Sequence, residues 1–285
     1  MELLNQAASL TMIVFVVSSM LAVGLSLTVS QIITPLRNAR LVTLALLANF
    51  VLMPLAAMAI ARWLQLDGPL AAALILLGTA SGAPFIPVLA GMAKGDLAFS
   101  VGLTVLLMVF SIVYMPLVLP LLLDGVSVDP AKIARSLLLL MLLPLGVGLA
   151  VKAWLDGIAT RIQPLFSKVS TFSLILLLLL LVVLNFRNIV GLYGSRGVIA
   201  SILFLVAGSI VGWLLGGPGA GTRSVMALAT AQRNIAAALV VAKQNFSDPR
   251  VVLMVVMIAI VGILLLFPFA RWLARERPGH PSADS

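Results

Sequence analysis

The stretch "TAQRNIAAAL", Thr230 to Leu239, decides how the rest of the chain is read. Arg223 and Lys243 bracket an apolar segment, and Arg233 stands at its midpoint, ten positions from each. A guanidinium at the centre of a membrane span costs about 2.5–3.5 kcal/mol on insertion scales. A residue so expensive marks a place where the fold or the function needs a cation.

Composition shows that the surroundings are a membrane. The chain has 285 residues, 62% of them hydrophobic and only 9% charged, with a mean hydropathy of +1.22. A soluble domain carries roughly 25% charged residues. Nine charge-free runs of spanning length lie near 7–29, 41–61, 68–93, 97–123, 133–151, 169–186, 197–216, 224–242 and 251–270. The connections are short and rich in turn residues, among them "LQLDGP", "AKGD" and "GGPGAG". The expected fold is an all-α polytopic membrane protein, with one transmembrane domain over 1–270. A basic, then polar, tail follows over 271–285.

Charge gives an orientation. Glu2 precedes the first span, whereas Arg37 and Arg40 follow it. That order does not match a cleaved signal peptide, which carries its basic residues first. An outside N-terminus puts Arg37, Arg40, Lys94, Lys152, Arg161, Lys168, Arg223, Arg271, Arg275 and Arg277 inside, with seven basic residues left outside. The positive-inside rule then predicts a plasma (bacterial inner) membrane protein with a cytoplasmic tail. The basic residues of this +9 chain are scattered rather than gathered, which argues against nucleic-acid binding.

The chemistry that is missing narrows the function. Cysteine is absent, and the one histidine, His280, lies in the tail. All nine acids (Glu2, Asp67, Asp96, Asp124, Asp129, Asp156, Asp248, Glu276 and Asp284) fall in loops or termini. No carboxylate pair meets in the membrane, no H-E-x-x-H is present, and no buried base activates a serine. An enzyme, a metal centre and a bound cofactor are not expected.

The polar residues that remain are concentrated in two spans. The third reads "GPLAAALILLGTASGAPFIPVLAGMAK", with Thr79, Ser81, Gly82, Pro84 and Pro87 in its middle. Prolines beside a glycine free backbone carbonyls, and irregular backbone survives in lipid only when buried in protein or facing a cavity. The eighth reads "GPGAGTRSVMALATAQRNIAAALVVAK", with Thr230, Gln232, Arg233 and Asn234 in its middle. Both begin Gly-Pro, carry Thr-Ala centrally and end Ala-Lys. Paired interruptions in two halves are the mark of inverted-repeat transporters, whose site lies at the crossing. The halves here are about 7–123 and 130–270. Plainer readings stand beside this one. The prolines are simple kinks, Gln232 and Asn234 tie helices together, and Arg233 caps carbonyls freed by the third span.

The stretches "SSMLAVGLSLTV", "ANFVLMPLA", "AKGDLAFSVGLTVL" and "QRNIAAALVVAKQNF", in this order, resemble the bile acid:sodium symporter family. The resemblance implies core and panel domains, with the third and eighth spans unwound and crossing in the core. The first, fifth and sixth spans would form the panel. It also implies sodium sites, and these transfer only in part. Ser100 and Thr104 match residues beside the first site, and Asn49 stands where a glutamine often serves the second. The family's E-x-x-x-Q-N falls on Ala229, Arg233 and Asn234, so the shared carboxylate is missing. Its Ser-Asn falls on Ser81 and Gly82, or on Ile86 and Pro87. Arg233 supplies a permanent cation instead, able to reach Asn49, Thr79 and freed carbonyls, or to face a cavity and hold an anion. The function expected is alternating-access transport of a small organic anion (a carboxylate, a sulfonate or a bile-acid-like molecule) across the lipid bilayer, without the usual sodium coupling. A channel or receptor-like protein on the same scaffold is the alternative.

Overall fold

A computed structural model describes residues 2–33, 37–123, 129–184 and 196–275. Asp124, Arg187 and residues 276–285, with Glu276, Arg277, His280 and Asp284, lie outside them. Every regular element among the described residues is helical. That is the expected answer to a bilayer, where each backbone N–H and C=O must be satisfied within its own segment.

The first span is Glu2–Ser26, followed by a short helix, Val29–Ile33. The second is Ala39–Trp63 and the fourth Leu97–Leu122. The fifth is Pro130–Trp154, the sixth Asp156–Leu184 and the seventh Gly197–Leu215. The ninth is Pro249–Arg275. The third and eighth are each split, into Gly68–Thr79 with Ile86–Met92 and Ala220–Ala231 with Ile235–Asn245. Among the described residues eight segments are long and apolar enough to cross a membrane, and the interrupted third is the ninth pass. The helices outrun the charge-free runs. The sixth begins at Asp156 rather than near 169, and the ninth continues through Arg271 to Arg275. Charged side chains with long stems sit on helix ends beyond the hydrocarbon, so charge marks the membrane boundary and not the helix boundary.

Contacts between span ends agree with nine alternating passes. At one face Arg250 Nη1 pairs with Asp67 Oδ2 at 2.7 Å, and Arg196 donates to the Leu64 carbonyl. This is the N-terminal face. At the other, C-terminal face, the Asp96 N–H donates to the Gly221 carbonyl at 3.4 Å.

The first span packs along the sixth and the fifth, and these three form the expected panel. In the remaining core, the second span packs on the first half of the third, and the seventh on the first half of the eighth. Gly212 lets the last pair approach closely, since a Cβ there would lie 2.1 Å from the Met226 carbonyl oxygen. The eighth span is the centre of the molecule. Its apolar window is 89% buried, against 22–56% for the other candidate spans.

Both first halves have 12 residues, and they enter from opposite faces. The breaks fall at 80–85 and 232–234. Pro84 lies in the first break, but Pro87 does not. It sits in the opening turn of Ile86–Met92, where its missing N–H costs nothing. Gly82 makes the first break possible. Its φ is +80°, and an added Cβ would lie 2.2 Å from the Met108 backbone nitrogen on the fourth span. Gly82→Ala is therefore expected to cost at least about 1–2 kcal/mol from the backbone alone, plus the clash. Gly68→Ala, where a Cβ meets nothing within 4 Å, serves as the control. Thermal unfolding in detergent should separate the two, and equal midpoints would remove this role for Gly82.

Candidate functional site at the helix crossing

The two breaks meet, and the eighth span repairs the third. Arg233 is 1% exposed. Its Nε donates to the Leu77 carbonyl at 2.9 Å and its Nη2 to the Gly78 carbonyl at 2.7 Å. Its Nη1 donates to Asn49 Oδ1 at 2.9 Å and to the Thr230 carbonyl at 3.2 Å. The next residue continues the repair. The Asn234 backbone N–H donates to the Ala80 carbonyl at 3.0 Å, and its Nδ2 to the Gly82 carbonyl at 3.1 Å. Asn234 Oδ1 meanwhile accepts from the Ala237 N–H and caps the second half-helix. The guanidinium thus lies at the negative end of Gly68–Thr79, where unpaired carbonyls and the helix dipole favour a cation.

Asn49 reaches the crossing from within a local defect in the second span. Residues Ala48–Leu52 form a π-turn. Such turns unsettle the backbone ladder and recur at functional sites. Asn49 Oδ1 also accepts from Ser81 Oγ at 2.7 Å, and Asn49 Nδ2 donates to the Ala45 carbonyl at 3.0 Å and to Thr230 Oγ1 at 3.4 Å. Three spans are joined through this one amide.

The other expected residues divide. Thr79 is buried, but its hydroxyl donates to its own helix at Leu76. Ser100 and Thr104 are buried on the fourth span and donate to Leu97 and Ser100 of that span. No hydrogen bond links either of them to Asn49, which is committed to Arg233, Ser81 and Thr230. Ala229 is fully buried one turn before Arg233. Gln232 is half-buried and makes no side-chain hydrogen bond among the described residues.

Two adjoining cavities separate the panel from the crossing, and both are lined by Ser19, Pro84 and Phe85. One, of about 100 Å³, is lined further by Phe15, Leu89, Gln232, Arg233 and Phe267. The other, of about 240 Å³, is rich in hydroxyls and amide, with Thr104, Gln163, Ser167, Ser170 and Thr171, and includes Pro87. It reaches Ser26 and Leu27 at the C-terminal end of the first span. Of the five N–H groups of Arg233, four are used in the bonds above, which leaves one on Nη2.

Ser111 and Tyr114 were not anticipated from the sequence. Ser111 Oγ accepts from the Ser81 N–H at 2.9 Å and donates to the Ser81 carbonyl at 3.1 Å, so it clamps the middle of the first break. The Tyr114 hydroxyl donates to the Phe50 carbonyl in the π-turn. The signal was available: both are polar residues deep in a 26-residue apolar span.

A helical membrane protein whose two interrupted spans bond to each other at their breaks has the architecture of inverted-repeat carriers. Residues 12–192 match the sequence model of the Sodium Bile acid symporter family, and the chain belongs to that family. It is 29% identical over 236 residues, 81% of its length, to the probable sodium/metabolite cotransporter BASS2, chloroplastic, of Oryza sativa subsp. japonica, of which it covers 56%. It is 26% identical over 195 residues, 68% of its length, to the probable sodium/metabolite cotransporter BASS3, chloroplastic, of the same plant, and covers 46% of it. It is 29% identical over 202 residues, 69% of its length, to the uncharacterized sodium-dependent transporter YocS of Bacillus subtilis (strain 168), covering 60%. The chain thus spans about half the length of the relatives it matches.

Arg233→Lys tests the fork directly. An ammonium cannot reach all four acceptors, and each buried acceptor left unpaired costs roughly 1–3 kcal/mol. The variant is expected to unfold at a clearly lower temperature in detergent. Lys94→Arg, at the C-terminal face, should change nothing. An unchanged midpoint for Arg233→Lys would show that the charge alone matters.

Proposed function

We propose that this protein is a secondary transporter of small organic anions, working by alternating access, in which the Arg233 guanidinium takes the structural place of a coupling cation. One observation carries the reading. Arg233 binds two helix-end carbonyls, a third carbonyl and an amide oxygen at the crossing of the two broken spans. These are the neutral oxygen ligands that a hard cation would otherwise gather. Ala229 stands where the family has a carboxylate, so a sodium ion placed here would lack compensation and would face a fixed positive charge. The relatives are named as sodium/metabolite cotransporters and a sodium-dependent transporter. This chain is proposed to transport without sodium, as a uniporter or an anion exchanger.

What the cavities offer supports the substrate class. Ser19, Gln232 and Arg233 line the cavity between panel and core, and the N–H that Arg233 leaves unused is proposed to serve a ligand there. The neighbouring hydroxyls of Ser167, Ser170 and Thr171 suit a carboxylate or sulfonate. Volumes of about 100 and 240 Å³ lie below the usual range for drug-sized ligands, which favours a small metabolite. The larger cavity runs toward the C-terminal face, which the positive-inside bias assigns to the cytoplasm of a bacterial cell.

Reconstituted vesicles provide the test. Initial uptake of a panel of carboxylates and sulfonates is measured with and without sodium, at fixed ionic strength and membrane potential. Saturable, sodium-independent uptake with counterflow is expected. A steep sodium dependence would overturn the coupling proposal, and flux that never saturates would indicate a channel. The double variant Ala229→Glu, Arg233→Gln restores the family's charge pattern and is expected to gain sodium dependence.

A further inference from the structure

We propose that the groove between the seventh and ninth spans binds an anionic phospholipid, with an acyl chain along the groove and the phosphate on Arg223 and Arg275. This site is separate from the crossing and does not depend on the transport reading.

The groove is a concave apolar channel of about 460 Å³, walled by Leu205, Ile210, Trp213, Leu266, Phe269 and Trp272. Leu214 and Trp272 on its lips are 73% and 51% exposed. A hydrocarbon chain fits such a surface, and tryptophans at this depth are the usual markers of the membrane interface. Apolar lining alone selects no headgroup. The rim at the C-terminal face does. Arg223 stacks over the Trp213 ring, its guanidinium carbon 5.4 Å from the centroid, and its Nε donates to the Gly217 carbonyl at 3.1 Å. Those contacts hold the plane of the guanidinium in place. Its two distal nitrogens have no partner among the described residues, so the fork that best matches a phosphate is presented unused. Arg275 lies one turn beyond Trp272, on the same face of the ninth span, and is exposed.

Among the described residues no acid offsets this rim. Among the described residues the acids of the C-terminal face are Asp96 and Asp156. Asp96 caps the fourth span through the Phe99 N–H, and Asp156 pairs with Lys152 beside the panel. Charge complementarity therefore favours an anionic headgroup over a zwitterionic one. It also disfavours a second copy of the chain. Two copies joined about an axis normal to the membrane would bring their arginine rims together at the same depth.

The four tryptophans allow a direct measurement. Trp63 and Trp154 are 73% and 83% exposed at helix ends, and the background variant Trp63→Phe, Trp154→Phe leaves Trp213 and Trp272 as the only reporters. This protein is placed in bilayers containing phosphatidylglycerol or phosphatidylcholine brominated at mid-chain. Brominated phosphatidylglycerol is expected to quench at lower mole fraction, with a preference of roughly fivefold for each arginine. Added salt should weaken that preference. Arg223→Gln with Arg275→Gln should bring the two lipids to parity while both still quench. Arg275→Gln alone, at an exposed residue outside the core, should lose about half of the effect on a logarithmic scale. Equal quenching in the unmodified rim would overturn the proposal, because the groove would then hold bulk lipid without selection. Quenching by neither lipid would also overturn it, because another protein surface would then cover the groove. A preference that survives the double variant would remove the arginines from the site.

Discussion

A broken helix in a bilayer leaves carbonyls that water cannot reach, and everything at the centre of this protein answers that constraint. The break in the third span deprives the carbonyls of Leu77, Gly78, Ala80, Ser81 and Gly82 of their i+4 helical donors, and only Leu77 keeps a local one, the Ala80 N–H at 3.2 Å. Arg233 takes the first two, Asn234 takes Ala80 and Gly82, and Ser111 takes Ser81. Two consecutive residues of the eighth span therefore close four of the five. The expense of an arginine at the midplane is offset by the larger cost of several orphaned acceptors in the same place.

The repair also fixes what the centre can do. A guanidinium held by four acceptors is a strut, with one N–H remaining for a ligand. It does not act as a free two-pronged anion clamp, and of the alternatives open to Arg233 the contact with the broken helix is the one it makes. Its charge still lies beside the cavity between panel and core, where it is little screened. The rigid unit that results is the core, in which the second, third and eighth spans share Asn49. The panel meets that unit across the two cavities, through an apolar cluster in which Phe15, Met20, Ile133 and Leu137 are buried with Leu74 and Leu239, and at the N-terminal face, where Lys132 donates to the Gln244 carbonyl.

The membrane class, the nine passes and the two interrupted spans were legible in the sequence because each rests on composition or local chemistry. A span needs about twenty apolar residues, and Gly82 and Pro84 disturb a helix whatever surrounds them. Arg233 was legible for a similar reason: a midplane charge is costly everywhere in a bilayer. Pro87 is a different case. A proline breaks a helix or begins one according to its place in the turn, and only the backbone reveals which. The sixth and ninth helices exceeded their apolar runs because the hydrocarbon boundary, not the hydrogen-bond ladder, is what charge records.

Sequence by itself therefore determined that this chain crosses a membrane, where its helices fail, and that a permanent cation stands in the middle of the eighth. Tertiary structure decided which oxygens that cation meets. Leu77 and Asn49 lie 156 and 184 positions from Arg233. Nothing local encodes those pairings, because they depend on two half-helices entering from opposite faces and ending at the same depth. The same holds for Ser111, a routine hydroxyl in its own span until the break at Ser81 is laid against it. For Ser100 and Thr104, packing left the hydroxyls on their own helix, since a serine or threonine in lipid bonds its own backbone unless another span comes within reach.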